Sequence, residues 1–183
     1  MRLRLSGNTW AVTTSAELLT DHFGRVRELV HDVLDGLGEP DLAQRPGSVS
    51  GDPGNPIGWL VWHLTRVQDD HIAEAFDTEQ VWTSEGWAER AGLDLEPADT
   101  GFGHTSAQVD AIRVPAGLLA AYHDAVHERT VSLLADLTDH DLSRILPPTH
   151  GANVSLGERL VSVLGDELQH AGQAAYLRGL FGR

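Results

Sequence analysis

Apolar residues recur every three to four positions along four stretches of the chain, which predicts four helices with one buried face each. The first runs from about Ser15 to Leu37, with Leu19, Val26, Leu29, Val30, Val33 and Leu37 on one stripe. Gly36, Gly38 and Pro40 then close it, as helix ends prefer. The second opens at Asn55-Pro56, a capping residue followed by proline at the first helical position, and carries Ile57, Leu60, Leu64, Val67, Ile72 and Ala75. The third starts near Pro115 and reaches about Leu137 through Leu119, Tyr122, Val126 and Leu133. The fourth begins at Ser155, where Ser155-x-x-Glu158 forms a capping box, and continues through Leu160, Val163, Leu164, Ala171, Ala174 and Phe181. No stretch sustains the two-residue alternation of a half-buried strand, and Arg2–Leu5 is the one place where a short strand is compatible with the pattern.

Four long amphipathic helices in 183 residues predict an all-α fold, a four-helix bundle. The length suits a single domain over residues 1–183, with the bundle core at about 15–181. The connections are uneven: about 17 residues join the first pair and the last pair, and roughly 37, at about 77–113, lie between the second and third helices. A connection of that length can carry the chain back along the bundle, leaving the middle helices parallel. It holds Trp82, Trp87 and the run Gly101-Phe102-Gly103-His104-Thr105, and loops this long are often functional caps.

Composition narrows the function. At 41% hydrophobic residues the chain is globular, and no apolar run approaches the roughly 18–20 residues needed to cross a bilayer. Arg2 and Arg4 are not followed by an apolar segment, which argues against a secretory signal and for a cytoplasmic protein without a membrane partner. The net charge is −14 and all 13 cations are arginine, with no cluster among them, so a phosphate backbone would be repelled and nucleic acid is not an expected partner. The chain has no cysteine, which rules out disulfides, thiolate ligands and a cysteine nucleophile. Thiol chemistry here would need a thiol brought by a small molecule.

Ten histidines raise the question of metal. His31, His140 and His150 sit at polar positions or in loops and read as solvated. His123 and His127 have ligand spacing but fall on the flank of the third stripe, which predicts a surface or rim position. His22 lies within the first stripe and reads as a hydrogen-bonded core histidine. The fourth helix is more informative: in Gly165-Asp166-Glu167-Leu168-Gln169-His170, either carboxylate lies one turn before the imidazole, a separation of about 5–6 Å that lets both reach one ion. His63 borders the second stripe and, if the helices face each other, completes a site of two histidines and a carboxylate with open positions. Such a set accepts zinc, nickel, iron or manganese, with zinc and nickel foremost, and surface ion pairing is the competing explanation of the same residues. Spacing does not choose between Asp166 and Glu167, and Glu167, nearer the middle of the stripe, would need a partner for its charge. Arg66, one turn beyond His63, is a candidate for binding an anionic substrate group, with an ion pair to Asp70 as the alternative.

The segment Asn55-Pro56-Ile57-Gly58-Trp59-Leu60-Val61-Trp62-His63-Leu64 resembles the second-helix motif of DinB-like proteins, which ends in a metal-binding histidine. His170-Ala171-Gly172-Gln173 is similar to their last-helix motif, His-x-Gly-Gln, preceded four residues earlier by another ligand. That position is histidine in many members and Asp166 here, a departure that resembles the mycothiol-dependent branch, which includes maleylpyruvate isomerase and mycothiol S-transferases. The Gly103-His104-Thr105 loop after Trp82 and Trp87 is similar to the same branch, and the resemblance as a whole spans roughly Ser15 to Leu180. It implies a DinB-like bundle with a long crossover between helices two and three, often a homodimer, and a divalent metal held by His63, Asp166 and His170, which favours Asp166 over Glu167. The function it implies is a metal-dependent transferase or isomerase that uses a low-molecular-weight thiol such as mycothiol on a small electrophilic substrate. In that reading Trp59, Trp62 and the crossover wall the pocket, and His104 moves protons. A metal-binding stress or interaction protein without turnover and a metal-dependent hydrolase are the alternatives.

Overall fold

The structure is a computed structural model that describes residues 13–47, 51, 53–147 and 153–183; the compatible strand at Arg2–Leu5 and the loop residue His150 lie outside them. Four long helices dominate: α1 (Ser15–Leu34), α3 (Ile57–Phe76), α7 (Ala116–Leu134) and α8 (Leu156–Leu180). Shorter ones fill the connections: α2 (Glu39–Ala43) after α1, then α4 (Val81–Ser84), α5 (Trp87–Ala91) and α6 (Ser106–Ala111) in the crossover, and a single 3-10 turn at Asp141–Ser143. The all-α expectation holds: an isolated bridge between Ile145 and Ser155 is the one β contact among the described residues. No helix among them is long and apolar enough to cross a membrane.

The caps explain where the helices start. Ser155 accepts from the Glu158 N–H while Glu158 accepts from the Ser155 N–H, at 3.2 and 2.7 Å, and Thr14 and Glu17 do the same for α1. The second long helix begins one residue later than the pattern suggested, with Pro56 itself at the cap. Its predecessor ends sooner: Asp35 leaves the helix and Gly36 turns at φ +70, although Leu37 still packs inward from beyond the turn. Leu29 is partly exposed on α1, and Phe23 takes the core position instead.

α3 packs against α8 and α7, and α1 against α7 and α8, so the bundle closes as a ring in the order α1, α7, α3, α8. Cross-helix bonds fix the directions. Thr65 meets His123 and Gln68 meets Thr130, so α3 and α7 run parallel, as the long connection allows. Arg159 meets His71 while His170 lies beside His63, so α3 and α8 run antiparallel. α3 is buried almost all round because α2 and the crossover cover the sides that its two bundle neighbours leave. α2 approaches closely only because Gly58 has no side chain: a Cβ there would lie 3.1 Å from the Leu42 carbonyl oxygen.

The core falls into two apolar clusters. On α8, Leu156 to Leu164 belong to one and Ala171 to Leu177 to the other, with buried Glu167 between them. On α3 the interval holds Thr65, Gln68 and Asp69, and on α7 it holds Thr130, all buried. A polar layer therefore crosses the bundle at the height where α3 and α8 carry His63, Asp166 and His170.

Candidate metal centre

His63 projects from the second turn of α3, and Asp166 and His170 from successive turns of α8. Antiparallel packing brings one ligand atom from each within 4.8 Å of the other two. His170 Nε2 lies 3.6 Å from Asp166 Oδ1, while Asp166 Oδ2 is shielded from solvent and has no hydrogen-bond partner among the described residues. Each imidazole has its other nitrogen engaged. His63 Nδ1 donates to the Thr100 carbonyl at 2.5 Å, and His170 Nδ1 to Gln173 Oε1 at 3.0 Å. Both rings are thus oriented to turn Nε2 toward the carboxylate, the arrangement that outer-shell partners give metal-ligating histidines. An unpartnered carboxylate oxygen beside two directed nitrogens fits a divalent cation.

Electrostatics separates the two histidines. Burial lowers the pKa of His63, only partly opposed by its bond to Thr100, so the ring is held neutral. His170 is raised, first by its contact with Asp166 and despite burial. Glu167 is fully buried and lies outside the trio. The partner expected for it is not found among the described residues: neither oxygen is hydrogen-bonded, and desolvation, with Asp166 adding to it, pushes its pKa well above the usual range. Without a partner among the described residues, burial favours the protonated form of the side chain.

A cleft of about 610 Å3 opens at His63 and Asp166 of the trio, with Thr100, Phe102, His71 and Arg159 among its other walls. Trp59 stacks on His63 with ring centroids 4.6 Å apart and supports the ligand from behind rather than lining the cleft. His104 is locked between two partners: Nδ1 accepts from Trp59 Nε1 at 3.2 Å and Nε2 donates to Asp99 at 3.0 Å. Arg66 does not reach the cleft. Its side chain is fully buried, its ion-pair partner is Asp69, and Asp70 accepts instead from Gln80. The expected rim position of His123 is also corrected: it is 1% exposed, bonded to Thr65, and burial pulls its pKa down to about 3.

The cation that the cleft does offer is Arg159, which donates to His71 Nδ1 at 2.5 Å and lies 3.5 Å from Glu74. Sequence reasoning passed over it, although it sits seven residues before Asp166 and so on the same helical face. Gln173 was legible as part of a motif but had no role. Thr100 carried no signal, since it acts through its backbone carbonyl.

The profile of the DinB superfamily matches residues 22–174, and the chain belongs to that superfamily. A solved structure of a conserved protein from Enterococcus faecalis is 26% identical, with a TM-score of 0.80 over 93% of this chain and 99% of that one. A DinB-like protein from Bacillus cereus, 17% identical over 94% of this chain and 95% of its own, shares the fold with a TM-score of 0.61. None of the curated proteins matches the chain.

Proposed function

We propose that this chain is a metal-dependent transferase or isomerase that uses a low-molecular-weight thiol, such as mycothiol, on a small electrophilic substrate. The observation that carries the proposal is a trio of two histidines and one carboxylate opening on a cleft, in a protein without cysteine. A divalent cation held there, zinc or nickel, would supply Lewis acidity and keep a borrowed thiol as thiolate at neutral pH. His63 and His170 would hold it through Nε2 and Asp166 through a carboxylate oxygen. Two neutral imidazoles and one carboxylate leave a divalent centre with a net charge of +1, which favours an incoming anionic sulfur.

The protein's other residues bind and shield. Arg159 on the cleft wall can orient an anionic group of the thiol or of its acceptor, a part the sequence suggested for Arg66. Phe102, 92% exposed between Gly101 and Gly103, stands at the mouth of the cleft and can cover a bound substrate. With both ring nitrogens of His104 engaged, its part is to support Trp59 and the crossover, and the proton given up by the thiol leaves through the open cleft. The deciding experiment loads the protein with zinc or nickel and assays transfer of a small thiol to a reporter electrophile. Turnover that needs the thiol and is lost in His63→Ala supports the proposal. Hydrolysis without thiol would identify a metal hydrolase, and inertness across a broad panel would leave a metal-binding interaction protein.

A further inference from the structure

The guanidinium of Arg66 is 0% exposed and collects two ends of the crossover. Nε donates to the Asp99 carbonyl at 3.1 Å, and Nη2 to the Pro97 carbonyl at 3.0 Å and to Gln80 at 2.8 Å. Nη1 reaches Tyr122 and Asp69, and Asp69 in turn accepts from the backbone N–H groups of Val81 and Trp82. One arginine on α3 thus ties down both the start of the crossover and its return.

Beyond that tether, Asp99 shapes the next turn. Its carboxylate accepts from the Gly101 N–H at 2.7 Å and from His104 at 3.0 Å. Burial works against its charge, but these donors outweigh it and hold the carboxyl below the usual range. The turn passes through Gly101 at φ +88, where a Cβ would lie 2.8 Å from Trp62, 3.1 Å from His63 Nδ1 and 3.2 Å from Trp59. Only glycine lets the strap come this close, and the close approach puts the Thr100 carbonyl on His63 Nδ1. His104 completes the strap by accepting from Trp59, which stacks on His63.

We propose that Arg66 and Asp99 are positioning residues for His63: through the strap at 99–104 they keep its ring proton on Nδ1 and its Nε2 bare and aimed at Asp166 and His170. The consequence for metal affinity rests on the proposed metal centre; the consequence for the tautomer does not.

The test uses 15N-labelled, metal-free protein. The ring-nitrogen signals of His63 are expected to report the Nδ1–H tautomer in wild type and a mixture with the Nε2–H form in Asp99→Ala. Zinc affinity by chelator competition should fall about 10- to 100-fold in the variant, the range seen when the outer-shell partner of a metal-binding histidine is lost. Gly101→Ala provides a second route, because it lifts the strap from His63 while leaving the bonds of Arg66 intact, and it should give the same two changes. Arg66→Met should match them if it folds. An Nε2–H tautomer in wild type overturns the proposal. So does an unchanged tautomer and affinity in both Asp99→Ala and Gly101→Ala. Wild type that binds no zinc while the variants still shift the tautomer would sink the metal centre and support the strap.

Discussion

At the scale of single residues, the trio divides its work by protonation. In the metal-free protein His63 is already neutral because it is buried, whereas His170 holds its proton longer because Asp166 stabilises the charged ring. A metal must therefore displace the proton of His170. Since that pKa lies above the ordinary histidine value, binding should release more than half a proton at pH about 6.5 and weaken as the pH falls further. Calorimetry in buffers of different ionisation enthalpy measures the release, and an affinity independent of pH between about 5 and 8 would exclude histidine ligation. Ligand identity is checked by metal content. His63→Ala and His170→Ala should each lose most bound metal, and Asp166→Ala should lose more than Glu167→Ala, because Glu167 lies outside the trio. Mass spectrometry that finds unchanged metal in both histidine variants would remove the site.

At the scale of the helices, the chain's periodicity was enough to place all four long elements, and the Ser155–Glu158 cap formed where its spacing indicates. Asp166 and His170 were legible because one turn of one helix determines their separation. What stayed hidden depends on neighbours distant in sequence. His123 lies off the main stripe of α7, but that helix packs against both α1 and α3, so its buried arc is wider than a single stripe. Arg66 looks like a surface residue by type, and its burial follows from partners at 80, 97 and 99 that only the folded crossover supplies. The three short helices of the crossover are too brief to show a period. Glu167 marks the polar layer that interrupts the α8 stripe, and its lack of partners has a measurable consequence. Glu167→Met keeps the approximate volume and removes two unsatisfied oxygens, so it should stabilise the protein by about 1–3 kcal/mol below pH about 4.5, where the carboxyl is protonated in both the folded and the unfolded chain. Urea unfolding measures this, and a loss of stability would mean that the carboxyl has a partner after all.

At the scale of the whole molecule, two buried groups of opposite tendency shape stability against pH. His123, lowered to about 3 by burial, is neutral in the folded state while the unfolded chain binds a proton below about 6.5. Its contribution is complete above that value and is lost as the pH falls toward 3. Glu167, raised well above its ordinary value, is protonated in the folded state while the unfolded chain ionises above about 4.5, so its contribution is lost as the pH rises. Each gives a slope of about 1.4 kcal/mol per pH unit where it acts alone. Between about 4.5 and 6.5 the two slopes oppose and largely cancel, and they stand alone on either side of that window. His63 and His127, both lowered by burial, add to the slope of His123 below about 6.5, while His170, raised by Asp166, adds above that value to the fall that Glu167 causes. Glu167→Met removes one of the opposing slopes and nothing else that titrates. The stability difference between variant and wild type should be flat below about 4.5 and then grow by about 1.4 kcal/mol per unit. Urea unfolding of chelator-treated protein across that range measures the difference directly. A difference that does not change with pH would show that Glu167 ionises alike in the folded and unfolded chain, and its burial would then require a compensating cation within the bundle.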